Sequence, residues 1–153
     1  MAEDVLARCI ARGLLPARAA RATISLRLIG APERAERPLT EPPGLHLYGT
    51  EACVVQSLPG ADRELAPGLS AAMVRFAARF EYARTVEDVL ARRSRWLFLD
   101  ARLALSVADR VAAILSEELG DRFDAGASAR AFRALANRYC RLPQAAGLPD
   151  RPG

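Results

Sequence analysis

The chain has 153 residues, 51% of them hydrophobic and 26% charged, with a formal net charge of +4. This is the length of one domain, and a globule of this size buries roughly 70% of the surface that its unfolded chain would expose. All 22 basic residues are arginine, so the chain has no lysine for a P-loop or a Schiff base. One histidine and three cysteines without a CxxC spacing argue against a multi-ligand zinc site. The odd cysteine count fits a reducing, cytoplasmic compartment.

The N-terminal part, residues 1–48, is predicted to contain one helix, a short extended segment and a linker. The helix is expected over residues 2–13 because its apolar side chains recur with helical spacing. Residues 23–29 alternate apolar and polar side chains, which favours an extended segment or a strand. Prolines are frequent in residues 31–44, including Pro38, and indicate a loop.

The second part, residues 49–142, is dominated by helical periodicity. A short helix is predicted over residues 50–58 and a longer one over residues 70–82. Further helices are predicted to begin near Thr85, Ser106 and Ser128. Trp96 is expected to be a core anchor, and Cys9 and Cys140 to be buried. Together these elements predict an all-α fold: a small bundle of about five to six helices with a looser, proline-rich N-terminal third. Residues 143–153 are predicted to form a frayed tail, and no apolar run approaches the ~18 residues of a membrane-spanning helix.

Residues 81–100, which we call the charged segment, are the least ordinary part of the sequence. Thr85 and Asp88 have the spacing of a capping box at a helix start. The remaining charged side chains are predicted to form an ion-pair network that ties helices together: Glu81, Arg84, Arg92, Arg93, Arg95 and Asp100. Two alternatives remain open at this point. The guanidinium groups of Arg92, Arg93 and Arg95 could bind a phosphate or carboxylate, whereas a nucleic-acid footprint is disfavoured because positive charge is not concentrated on one face.

Arg93 is singled out because helical spacing places it near the apolar stripe of Val86, Val89 and Leu90. An arginine in that position must be paired or must extend to water. Its replacement by alanine is expected to cost ~2–4 kcal/mol if a buried partner is left unpaired. The cost is expected to stay under ~1 kcal/mol if the side chain is exposed.

The charged segment carries a resemblance to a known family. It reads Glu-Tyr-Ala-Arg-Thr-Val-Glu-Asp-Val-Leu-Ala-Arg-Arg-Ser-Arg over residues 81–95, and Phe-Leu-Asp-Ala follows at residues 98–101. This string resembles the C-terminal domain of FAD-dependent (aerobic) glycerol-3-phosphate dehydrogenases. Shorter stretches also resemble that family: residues 1–4, 28–31, 47–52, 132–136 and Tyr139. The sequence departs from the family pattern at Ser94, usually threonine, and at Phe80, often a charged residue.

The resemblance implies a family that oxidises glycerol 3-phosphate to dihydroxyacetone phosphate and passes electrons through FAD to quinone, often at the periphery of the inner membrane. In that family the flavin and substrate-binding residues precede the point at which this chain begins. The chain has no G-x-G-x-x-G fingerprint. We therefore expect a truncated, isolated C-terminal domain from a bacterial, cytoplasmic protein, with no catalytic, cofactor-binding or metal-binding residues of its own and no catalysis alone.

Two partners are expected under this interpretation. One is the missing or separately encoded flavin domain, and the other is a second copy of the chain, held through an exposed apolar face. No nucleic acid and no direct membrane span are expected. The alternative function is a free-standing helical interaction module that docks on a flavin subunit or on another protein.

Overall fold

The computed structural model describes residues 2–16, 26–34 and 41–141. The chain divides into two compact units, Met1–Ala31 and Pro32–Gly153. The expectations for residues 23–25, for Pro38 and for the tail at 143–153 lie outside the described residues.

The first unit contains helix α1, Ala2–Ala11, which confirms the predicted N-terminal helix. Glu3 and Asp4 lie in its first turn, where negative charge suits the helix dipole. No residue of α1 is buried, and Val5 and Leu6 are 60% and 52% exposed. The described residues 26–29 of the predicted extended segment form an irregular stretch and the start of a turn, not a strand.

The second unit opens with short elements. A 3-10 helix, Leu45–Glu51, is interrupted at Gly49 and leads into helix α2, Ala52–Ser57. Strands β1, Glu64–Ala66, and β2, Leu69–Ser70, then form an antiparallel hairpin with Glu64 opposite Ser70. The sequence did not predict this hairpin because strands this short leave no alternation to recognise.

The remaining elements are helical. Helix α3, Ala71–Phe80, is followed by a π-helix, Asp88–Arg93, and by the short helix α4, Trp96–Leu99. Helix α5 spans Ala101–Leu119 and ends at Gly120, a 3-10 turn covers Gly120–Arg122, and helix α6 spans Ala125–Tyr139. Together they confirm the predicted all-α class.

One predicted helix start was wrong, and another lies a few residues earlier than predicted. Helix α5 begins at Ala101, not at Ser106, because the Asp100 carboxylate accepts hydrogen bonds from the backbone N–H groups of Arg102 and Leu103. The Ser106 hydroxyl instead donates to the Leu103 carbonyl inside the helix. Helix α6 begins three residues before Ser128, where the Asp124 side chain caps the Ala127 N–H.

The core of the second unit lies where α5 packs against α6 and α3. Apolar positions of α5 point into it with helical spacing: Ala104, Val107, Ala108, Val111, Ile114 and Leu115. Phe132 enters from α6 and Phe76 from α3, each at most 2% exposed. Trp96 is buried as predicted, whereas Cys9 and Cys140 are only half-buried. Within the described ranges, no helix has both the length and the apolar character needed to cross a bilayer.

Candidate functional site in the charged segment

The first part of the charged segment is a reciprocal cap. The Asp88 carboxylate accepts hydrogen bonds of 2.9 Å from the backbone N–H groups of Arg84 and Thr85 and from the Thr85 hydroxyl. The Asp88 N–H in turn donates to the Thr85 hydroxyl. Burial alone would raise the pKa of Asp88, but these hydrogen bonds and the nearby Arg92 hold it below its usual value.

The π-helix places two arginines at its end. Arg92 forms salt bridges with Glu87 at 2.7 Å and with Asp88 at 2.8 Å, and its side chain is 58% exposed. The backbone N–H and the hydroxyl of Ser94 both donate to the Val89 carbonyl, which closes the wide turn. The sequence predicted an ordinary α-helix here. A π-helical turn is rare and is frequently found at functional sites.

Arg93 contacts Glu81, which lies at the end of α3. Its Nη2 donates to the Glu81 carbonyl at 2.5 Å, whereas its Nε lies 3.8 Å from the Glu81 carboxylate oxygen Oε2. That carboxylate oxygen is buried and has no hydrogen-bond partner among the described residues. Burial raises the pKa of Glu81 above its usual value, and the Arg93 guanidinium opposes this rise.

Two residues other than glycine have a left-handed backbone in this segment. Tyr82 has φ 62° and Arg95 has φ 60°. The Tyr82 ring is 79% exposed, and the Arg84 guanidinium lies 4.3 Å from its centroid. Arg84 also donates to the carbonyls of Ala78 and Ala83. Such conformations cost free energy and persist where the surrounding structure enforces them.

The structure brings together only part of the predicted network. Glu81 pairs with Arg93, and Thr85, Asp88, Arg84 and Arg92 form a second group around the cap. Asp100 acts as the N-cap of α5, and neither Asp100 nor Arg95 forms an ion pair with another described residue.

A stronger ion-pair cluster lies outside the segment. Glu118 on α5 accepts from Arg75 at 2.6 Å and from Arg79 at 2.6 Å, and Arg75 also reaches Glu117. The Glu118 side chain is only 8% exposed. Sequence reasoning missed this cluster. Arg75 and Arg79, four residues apart on one helix face, were the signal that could have indicated it.

A cavity of about 170 Å³ adjoins the Glu81–Arg93 pair. The Tyr48 phenol, from the 3-10 helix, lies at its wall beside Leu47 and Ser94. Burial raises the pKa of Tyr48, and the Glu81 carboxylate raises it further. A second cavity, of about 250 Å³, lies beside the hairpin. Among the described residues, no group of three or more histidine, cysteine or acidic side chains could hold a metal ion.

Comparison of the sequence with known proteins identifies a family. The family model described as "C-terminal domain of alpha-glycerophosphate oxidase" matches residues 45–124, just over half of the chain. The chain belongs to this family. The matched range runs from the 3-10 helix to the N-cap of α6, so it contains the whole charged segment and most of the walls of both cavities.

The sequence is also similar to part of one curated protein, which is consistent with this family. The protein named "Glycerol-3-phosphate dehydrogenase, mitochondrial" from Schizosaccharomyces pombe (strain 972 / ATCC 24843) is 45% identical over 49 residues. That stretch is 32% of this chain and 8% of the relative, so the chain corresponds to a small part of the relative's length. No solved structure matches. The resemblance seen in the sequence is therefore confirmed at the level of the family.

In this member of the alpha-glycerophosphate oxidase C-terminal domain family, Arg93 is 45% exposed. Since water reaches the guanidinium and the pairing distance is long, we expect Arg93→Ala to lower the free energy of unfolding by ~1 kcal/mol or less. Urea denaturation followed by circular dichroism measures this. A loss of ~3 kcal/mol would contradict it and would mean that Glu81 is stranded as a buried, unpaired charge.

Glu118 is expected to make the domain sensitive to acid. Its hydrogen bond from Arg79 holds its pKa below the usual 4.5, with Arg75 acting in the same direction and burial opposing. A carboxyl group whose pKa is depressed in the folded state stabilises that state above the unfolded pKa, and loses this contribution as the pH falls through the folded pKa. Stability should therefore fall as the pH drops below about 4.5.

The matched variants Glu118→Gln and Glu117→Gln test this expectation. Glu118→Gln should cost about 1–2 kcal/mol at pH 7, because it weakens charged hydrogen bonds to two arginines, one of which is partly exposed. It should also flatten the fall in stability as the pH drops below about 4.5, because the variant has no carboxyl group to protonate there. Glu117→Gln should lower the free energy of unfolding by under ~0.5 kcal/mol, because the Glu117 side chain is 58% exposed. Equal pH profiles for both variants would contradict the assignment.

Proposed function

We propose that this chain acts as the C-terminal helical domain of a flavin-dependent enzyme that oxidises glycerol 3-phosphate, and that it has no catalytic activity of its own. The match of the family over residues 45–124 carries the proposal. The mitochondrial relative's name, which specifies a glycerol-3-phosphate dehydrogenase, supports the same substrate. The role that remains for this domain is to pack against the catalytic part of the enzyme.

The residues present do not fit FAD, the cofactor that the family resemblance implies. Pockets for cofactors and drug-sized ligands are about 300–1,000 Å³. The cavity beside Glu81 and the cavity beside the hairpin are smaller, at about 170 and 250 Å³. The sequence also has no G-x-G-x-x-G fingerprint to receive a pyrophosphate. These observations support a separate flavin-binding part of the enzyme.

The partner that we propose is that flavin domain. Among the described residues, none of helix α1 is buried, and its apolar side chains Val5 and Leu6 are more than half exposed. Leu14, Leu26, Leu28 and Ile29 in the same unit are exposed as well. Exposed apolar side chains of this kind gain stability when a partner covers them. Without the flavin domain, these side chains are expected to drive self-association of the chain.

Absorbance, activity and light-scattering measurements on the purified chain test the proposal. We expect a colourless protein that does not reduce quinone in the presence of glycerol 3-phosphate, and that binds the flavin domain of the enzyme from the same source. A visible flavin spectrum or quinone reduction by the chain alone would overturn it. Stable association with an unrelated protein, in preference to the flavin domain, would favour the alternative of a free-standing interaction module.

A further inference from the structure

Three large apolar side chains lie exposed where α4 meets the end of α6. Phe98 and Leu99 on α4 are 55% and 58% exposed, and Tyr139 at the end of α6 is 52% exposed. The Phe98 and Tyr139 rings touch edge to face, with their centroids 5.6 Å apart. Single exposed apolar side chains need no explanation, but a cluster of them indicates an interaction site.

Exposed arginines lie next to this apolar cluster along the chain. Arg95 precedes Leu99 by one helical turn, and Arg102 follows Leu99 by three residues. Two further arginines lie at the end of α6, Arg138 and Arg141. None of the four forms an ion pair with another residue that the structure describes. The surface therefore combines apolar side chains with unpaired positive charge.

Two of these arginines lie where the fold itself disfavours them. Arg102 is in the first turn of α5, where the positive end of the helix dipole repels a cation. Arg95 has a left-handed backbone with φ 60°, which costs free energy for an arginine. The neighbouring Asp100 carboxylate is occupied by the backbone N–H groups of Arg102 and Leu103. Both guanidinium groups are thus available to an acidic group from elsewhere.

Helix α1 has the complementary composition. Its first turn carries Glu3 and Asp4, and the residues that follow, Val5 and Leu6, are more than half exposed. The helix has ten residues and is ~15 Å long, so its acidic and apolar side chains can reach one docking surface together. Amphipathic helices bind in this way, with their apolar side chains laid against an apolar surface of the partner.

We propose that α1 of a second copy of this chain docks on this surface, which we call the aromatic–arginine surface and which consists of Arg95, Phe98, Leu99, Arg102 and Tyr139. Val5 and Leu6 pack on its apolar side chains, while Glu3 and Asp4 face its two arginines. In a two-fold dimer each copy gives its own α1 and receives that of its partner. The contact is then made twice, which doubles an area that one helix of about three turns leaves well below the ~1,600 Å² of a stable interface.

Charge and coverage favour this pairing over the symmetric alternatives. Two aromatic–arginine surfaces face to face would place arginines opposite arginines, which is strongly unfavourable. Two antiparallel α1 helices would pair Glu3 and Asp4 with Arg8, but they would make a single contact and leave the aromatic–arginine surface exposed. This inference goes beyond the proposed function, because it identifies the surface through which the chain self-associates and needs no flavin domain.

An exchange of charge between the two surfaces tests the docking, by sedimentation equilibrium of the whole chain. We expect the wild type to dimerise reversibly, and Arg95→Glu with Arg102→Glu to weaken the dimer by about tenfold or more. Glu3→Arg with Asp4→Arg should weaken it similarly. All four changes together should restore the dimer, because opposite charges then face each other again.

The matched control is Arg122→Glu. Arg122 is also exposed and forms no ion pair with another described residue, but it lies beyond the other end of α5. Its reversal changes the net charge in the same direction and should leave the dimer unchanged. Equal weakening by Arg122→Glu and by the reversal of Arg95 and Arg102 would mean that net charge alone controls association, which would overturn the docking site.

A second measurement uses the wild-type chain, so it does not depend on how the variants fold. Chains labelled with ¹³C are mixed with unlabelled chains, and isotope-filtered NMR records the contacts that join two copies. We expect contacts from the Val5 and Leu6 methyl groups of one copy to the Phe98 and Tyr139 rings of the other.

Several results would overturn this inference. A chain that is monomeric at every concentration would do so, as would contacts between α1 and the two rings within single copies only. A dimer joined by contacts between two α1 helices, and unaffected by reversal of the arginines, would also contradict it. Since neither experiment includes the flavin domain, each of these results leaves the assignment of the flavin partner in place.

Discussion

Phe132→Ala is expected to lower the free energy of unfolding by ~3–5 kcal/mol, the largest effect of any single substitution considered. Phe132 is 1% exposed and lies on the face of α6 that carries the buried Ala129 and Ala136. Phe132 is the only large side chain among the fully buried residues of that helix, and the alanines beside it cannot fill the space of the ring. The substitution therefore removes apolar contact and leaves a cavity between α6 and α5.

Phe98→Ala is the matched control for this prediction. Phe98 is 55% exposed and makes one edge-to-face contact with Tyr139, with ring centroids 5.6 Å apart. Its loss should cost ~1 kcal/mol, in keeping with an exposed aromatic pair. Urea denaturation monitored by circular dichroism compares the two. If Phe132→Ala costs no more than Phe98→Ala, α6 does not pack against α5 as described.

The long helices were predictable because their periodicity is redundant. Over the length of α5, buried positions recur every three or four residues from Ala104 to Leu115, so one misleading signal does not hide the helix. The start of α5 was less certain because two candidate caps compete. Ser106 and Asp109 fit the capping-box spacing, whereas Asp100 caps the helix without an acidic residue three positions later.

The candidate site was predictable only where its interactions are local. The Thr85–Asp88 cap spans three residues and could be identified from spacing alone. The position of Arg93 depends on the π-turn, which adds one residue to the helical turn and rotates the side chains that follow. That added residue has no compositional signature. Tyr48 comes from a different element altogether, so only tertiary packing brings it to Glu81.

Gly68→Ala is expected to lower the free energy of unfolding by about 2–4 kcal/mol, from backbone strain and overpacking together. Gly68 turns the hairpin with φ +71°, and a Cβ atom there would lie 1.6 Å from the Pro43 carbonyl oxygen. Because that oxygen belongs to the backbone, no side-chain rotation relieves the clash. Either the hairpin or the segment carrying Pro43 and Gly44 must move.

The control is Gly126→Ala, in the first turn of α6, where the new Cβ would lie 3.1 Å from the end of the flexible Arg130 side chain and at an ordinary contact distance of 3.5 Å from Asp124 Oδ1. This substitution should stabilise the chain by ~0.5 kcal/mol through helix propensity. Pro43, Gly44 and Gly68 also line the cavity beside Glu81. Urea denaturation followed by circular dichroism compares the two variants. A cost for Gly68→Ala no larger than that for Gly126→Ala would mean that the hairpin does not lie against the Pro43 carbonyl.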